Sequence, residues 1–243
     1  MPSVFFPFFD IWYIVLMAPA FILAMWAQSR VRGTYQKYSQ VVSSTGMPAA
    51  MAARRILDAV GLYNVDVRKV PGELTDHYDP RHKVLRLSEG VYNSNSLAAV
   101  AIAAHEAGHA VQDQTRYPWL VMRSAMVPVT TFGSKFGYVL LIAGFLMAGF
   151  LQSEIGIPVA VIGLVLFSTA FVFSLITLPV EFNASARALK LMESVRVVSS
   201  PERVHAKKVL DAAALTYVAA MFIALMQVLY FALRLLALTG GRR

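Results

Sequence analysis

The run Ala103-Ala104-His105-Glu106-Ala107-Gly108-His109-Ala110 holds two histidines and a glutamate in the spacing His-Glu-x-x-His, within a stretch that reads as helix. Residues four apart share a helix face, so both imidazoles can reach one metal ion. Glu106 then stands beside the ion, where a carboxylate can take a proton from a water whose pKa the metal has lowered. This is the chemistry of metal-assisted peptide hydrolysis, with a single zinc ion as the expected metal. The residues around the motif are small, and a glycine inside a helix costs about 1 kcal/mol relative to alanine, so Gly108 implies a close neighbour.

A catalytic zinc usually has three protein ligands and one water. The chain has no cysteine, so the third ligand is His, Asp or Glu. Asp113 lies one turn beyond His109 on the same face, but three ligands on one helix cannot close around a tetrahedral ion. His205 is a second candidate. Glu181 has the stronger geometry: it directly follows an apolar run ending at Val180, and Ala184, Ser185 and Ala188 leave its helix narrow enough to pack against Ala107 and Gly108. An oxyanion needs one donor besides the metal. His77, on a strand beside the motif helix, and His205, in a later polar segment, are the candidates; His82 reads as a turn residue.

These elements sit in a chain of 243 residues that is 57% hydrophobic and 15% charged, with a mean hydropathy of +0.57. That is too apolar for an ordinary soluble domain and indicates a polytopic membrane protein seated in a lipid bilayer. The net charge of +8 does not indicate nucleic acid, because the basic residues are scattered and flank apolar spans.

Taken in order, residues 1–27 give a first membrane helix over Ile11 to Ala27, which Phe5 to Phe9 can extend; the absence of Lys and Arg before it argues against a cleaved signal peptide. Residues 28–135 are polar enough to face water. In them Ser44 or Thr45 can cap a helix that stops at Gly61, Asn64 to Val70 alternates as a strand, and a hairpin turns at Asp79-Pro80-Arg81-His82. Ser94 or Ser96 caps the motif helix. Residues 136–180 form a membrane hairpin of two helices, 181–211 a water-facing segment bearing Glu181, and 212–243 a fourth membrane helix with the C-terminus. Arg234 can reach the interface from that last helix. The fold expected is mainly α, with about four transmembrane helices and a small α+β domain containing a short hairpin.

Three separated segments, in order, carry a resemblance: Gly72-Glu73-Leu74-Thr75-Asp76-His77-Tyr78-Asp79-Pro80, the alanine-rich motif helix, and Leu178-Pro179-Val180-Glu181-Phe182-Asn183-Ala184-Ser185. Together they resemble the YugP-type bacterial membrane-bound neutral zinc metallopeptidases, over about Met51 to Leu233. The resemblance implies a zincin-like catalytic domain, a zinc endopeptidase activity and a bacterial plasma membrane. It agrees with Glu181 as the third ligand, since related zinc peptidases often use Glu-x-x-Ala-Asp there. This chain has Ser185 at the Asp position, so a carboxylate orienting a histidine must come from elsewhere or be absent.

Lys and Arg number thirteen in residues 28–135 and six in 181–211, and the short connection between spans two and three has none. By the positive-inside rule the motif domain faces the cytoplasm, with Arg242 and Arg243 on the opposite side. The function expected is zinc-dependent endoproteolysis of proteins or peptides, membrane proteins among them. The alternative is a zinc-stabilised membrane scaffold or chaperone partner, which would use the same ligands and have no need of Glu106. Metal transport is disfavoured, because the spans are almost empty of ionisable residues.

Overall fold

Long apolar runs fold as helices in a bilayer because a helix satisfies its own backbone hydrogen bonds. A computed structural model of the protein describes residues 10–240; the Phe5 to Phe9 extension and the Arg242 and Arg243 termini lie outside them. The described chain is mainly α with a small sheet: α1 Ile11–Ser39, α2 Ala49–Ala59, β1 Asp66–Val70, β2 His77–Asp79, β3 Val84–Ser88, α3 Glu89–Tyr92, α4 Leu97–Gln114, α5 Pro118–Gly149, α6 Gly156–Phe167, α7 Thr169–Ser194 and α8 Ser200–Gly240. Four helical stretches, α1, α5, α6 with α7, and α8, are long and apolar enough to cross a membrane. The second of these begins at Pro118 as one continuous helix, and α7 runs through Pro179 without ending.

The chain packs as two compact units. One comprises the residues up to Trp26, Met122–Thr177 and those from Tyr217 on. Its centre is the α5 and α6 hairpin. Gly137, Leu141, Gly144 and Ala148 recur on α5 with the spacing 4-3-4, and Gly156, Ala160, Gly163 and Phe167 repeat it on α6. The two rows face each other in antiparallel order, and a Cβ on Gly137, Gly144, Gly156 or Gly163 would fall on the backbone nitrogen of Phe167, Ala160, Ala148 or Leu141 respectively. Apolar helices in lipid gain little from hydrophobicity against one another, so such backbone proximity supplies their packing. Elsewhere in this unit Arg234 pairs with Asp10 at 3.0 Å and lies over the Tyr230 ring, 5.9 Å from its centroid.

The other unit comprises Ala27–Val121 and Leu178–Thr216. Its core sets Ala49, Ala52, Ala53, Ile56 and Leu57 of α2 among the buried alanines of α4. Ser96 caps α4 by accepting the Ala99 N–H at 3.2 Å. No side chain caps α2, contrary to the sequence reading, because Ser44 and Thr45 are used elsewhere. Ser44 donates its N–H and hydroxyl to Glu202, each at 2.6 Å, and Thr45 donates to the Val197 carbonyl.

The sheet has the order β1-β3-β2. β1 runs parallel to β3, Asp66 opposite Val84, whereas β2 forms the anticipated hairpin with β3, pairing His77 with Arg86 and Asp79 with Val84. Asp79 fixes the turn, accepting the N–H groups of Arg81 at 3.0 Å and His82 at 3.2 Å and the His82 ring at 2.7 Å. The His82 ring bond is the main reason the Asp79 carboxyl is lowered to about 2. A carboxyl depressed on folding adds stability above its unfolded value of 3.8, lost as pH falls toward about 2. Acid titration of thermal unfolding in detergent should therefore show an extra loss between those values in the parent protein, and Asp79→Ala should abolish that component.

Candidate metal centre

Helix α4 carries His105 and His109 on one face, their rings nearly perpendicular at 87° with centroids 4.7 Å apart. Helix α7 brings Glu181 to the same point: its Oε2 lies 3.2 Å from His105 Nε2 and 3.6 Å from His109 Nε2. Ligand atoms set tetrahedrally about 2.0–2.1 Å from an ion lie about 3.3 Å apart, so this spacing fits a zinc-sized ion. One ligand atom from each of the three residues lies within 4.8 Å of the others, and among the described residues no other such cluster of His, Asp and Glu occurs. Glu181 is 2% exposed, so its charge must be met inside the protein.

The helices reach this proximity at Gly108. A Cβ there would stand 2.5 Å from the Ala184 carbonyl oxygen, so only glycine lets α7 lie against α4 one residue before His109.

Each imidazole is held by its other nitrogen. His105 Nδ1 lies 3.1 Å from Ser185 Oγ, and His109 Nδ1 lies 3.0 Å from Gln112 Oε1. With protons on Nδ1, both Nε2 lone pairs face Glu181, the tautomer a metal requires. Gln112 is fully buried and its amide donates to the Val180 carbonyl at 2.8 Å and to Asn183 Oδ1 at 3.0 Å, tying His109 to the helix of Glu181. Arg187 donates to the same Asn183 oxygen at 2.7 Å and lies over the Tyr117 ring. Burial alone would lower the proton affinity of His109, but the neighbouring Glu181 and Glu106 carboxylates outweigh it and raise its pKa above the ordinary imidazole value.

Glu106 is 9% exposed and accepts the Tyr78 N–H from strand β2 at 3.0 Å. The Tyr78 hydroxyl donates to Asp113 Oδ2 at 2.7 Å, and Lys83 donates to the same oxygen at 2.6 Å. Burial and the hydrogen bond to Asp113 push the Tyr78 phenol up, so it stays a neutral donor. Asp113 thus holds the hairpin against α4 and takes no place in the cluster. His77 is exposed and bonded through Nδ1 to the Thr75 carbonyl at 2.8 Å. His205 stacks on Tyr38, centroids 5.3 Å apart, and stands outside the cluster.

The family whose model matches residues 13–236 is described as "Putative neutral zinc metallopeptidase". The chain belongs to this family. It is also similar to "Putative membrane protease YugP" of Bacillus subtilis (strain 168), with 46% identity over 219 residues, 90% of this chain and 94% of that protein. No solved structure matches the chain.

Gln112 and Tyr78 escape the sequence reading. Gln112 is three residues beyond His109 on the helix face that carries both histidines, and an amide there signals a bonding partner. Tyr78 acts on Glu106 through its backbone, which no side-chain pattern reports. Gly108→Ala should force α7 and α4 apart, lowering stability by about 1–3 kcal/mol. Gly33→Ala, in helix α1 with nothing within 4 Å of its added methyl, should instead stabilise by up to about 1 kcal/mol. Thermal unfolding in detergent compares the two, and equal stability of both with the parent would contradict the contact.

Proposed function

We propose that the protein is a membrane-embedded zinc endopeptidase, with His105, His109 and Glu181 as metal ligands and Glu106 as general base. The observation that carries this reading is the Glu181 carboxylate oxygen 3.2 and 3.6 Å from the two Nε2 atoms, with Glu106 on the same helix. Membership of a zinc peptidase family and similarity to a membrane protease support it. Bound zinc would supply Lewis acidity, polarising a scissile carbonyl and lowering the pKa of a water.

The remaining work falls to the chain. Ser185 and Gln112 hold the imidazoles in the ligating tautomer. Glu106 takes the proton of the attacking water and returns it to the leaving amine, and the Tyr78 N–H orients its carboxylate. Either His77 or His205 supplies the further oxyanion donor in this scheme. His77 is the better placed, because it precedes Tyr78 on the strand that touches Glu106. Substrates are proteins or peptides near a membrane surface, because Glu181 directly follows the apolar run ending at Val180.

Glu106→Gln should bind zinc as the parent does while hydrolysis of a peptide substrate falls at least about a hundredfold, the usual scale for a general base. Glu181→Ala should lose zinc, read by metal analysis of the purified protein, with helical content unchanged by circular dichroism. Full activity in Glu106→Gln would leave only a zinc-stabilised scaffold, and tight zinc in Glu181→Ala would move the third ligand elsewhere.

The same proposal places the site on the cytoplasmic side of a plasma membrane, following the thirteen and six basic residues that flank it in sequence. Single cysteines at Ser153 and Ser199 test this in a chain without native cysteine. In intact cells a membrane-impermeant maleimide should label Ser153→Cys, and Ser199→Cys should react only after permeabilisation.

A further inference from the structure

Away from the candidate metal centre, helices α1 and α8 line an open cavity of about 610 Å³, with residues from Ser29 to Tyr38 and from Lys208 to Leu215 around it. Three cations face it, Arg30, Lys37 and Lys208, against one carboxylate, Asp211. That carboxylate is already engaged: both its oxygens accept Lys207, at 2.8 and 2.6 Å. Arg30 and Lys208 form no ion pair among the described residues, so the cavity carries unbalanced positive charge and the hydroxyl donors of Ser29 and Thr34. The space beside Gly33 is open, since a Cβ there would meet nothing within 4 Å.

The walls also have a polarity order. Helix α1 is apolar up to Ala27 and polar from Gln28, while α8 is polar through Asp211 and apolar from Ala212. The cavity lies at this changeover on both helices, with Leu215 and Ala212 on the apolar side and Lys37 and Lys208 on the polar side. A soluble anion would use the charges alone. A phospholipid uses both ends, its phosphate among the cations and the start of its acyl chains along the apolar wall.

We propose that this cavity is a binding site for the phosphate headgroup of an anionic phospholipid. The site is independent of the peptidase reading: it shares no residue with the metal centre and stands or falls on lipid binding.

The test is native mass spectrometry of the full chain in detergent, titrated with phosphatidylglycerol or with phosphatidylcholine of the same acyl chains. The parent should retain phosphatidylglycerol at least about 25-fold more. Each cation near a lipid surface contributes roughly fivefold, so Arg30→Gln with Lys208→Gln should cut that preference about 25-fold. Gly33→Leu should lower it by setting a bulky apolar side chain against the headgroup while leaving every charge in place. Arg55→Gln with Arg81→Gln removes the same charge elsewhere and should leave it intact. A parent without preference, or cavity variants that retain it, would overturn the proposal. So would an equal loss in the Arg55 and Arg81 control, which would mean bulk charge, or displacement by tens of millimolar inorganic phosphate, which would mean a soluble phosphoester. Should Gly33→Leu fail to fold, the charge pair and its control decide.

Discussion

The contact between Gly108 and the main chain of Ala184 is the constraint on which the candidate metal centre depends. It sets the distance between α4 and α7, and that distance decides whether a carboxylate on one helix can stand 3.2 and 3.6 Å from imidazoles on the other. The cost of a glycine inside a helix is modest, about 1 kcal/mol. The loss from an ill-placed buried carboxylate is larger, because an unmet charge in a low-dielectric interior costs several kcal/mol. The small residue is retained where the larger penalty would otherwise fall.

Gln112 reinforces this contact. One buried amide accepts from His109 and donates to Val180 and Asn183, so the orientation of an imidazole on α4 is referred to the backbone of α7. On the other side of the motif, β2 reaches Glu106 through the Tyr78 N–H while Asp113 and Lys83 hold that tyrosine by its hydroxyl. The motif helix α4 is therefore fixed by α7 at one face and by the β2–β3 hairpin at another.

Much of this was legible before any coordinates. His105, Glu106 and His109 announce themselves because helical period and ligand chemistry coincide at i and i+4. The four apolar stretches are visible because a bilayer admits few alternatives, and the hairpin turn is marked by Asp79-Pro80. The illegible parts share a cause: they depend on which groups meet across large sequence separations. Ser44 looks like a helix cap until Glu202, 158 residues away, takes its hydrogen bonds. The matched 4-3-4 rows on α5 and α6, each with two glycines, read as unremarkable apolar sequence until the two helices are set antiparallel, when each glycine meets the backbone of the other helix.

Charge arithmetic links the site's neutral supports to its proposed metal. Glu106 and Glu181 are both nearly buried, and with neutral imidazoles they leave two negative charges in a small volume. A divalent cation cancels them. An aspartate at position 185, as in the Glu-x-x-Ala-Asp pattern, would add a third negative charge beside His105 and leave the filled site anionic. Ser185 and Gln112 orient the two rings with uncharged oxygens, so the balance holds. The same two carboxylates raise the proton affinity of His109 despite its burial. Ser185 thus gives His105 an uncharged orienting bond and leaves a centre whose two negative charges match a single dication.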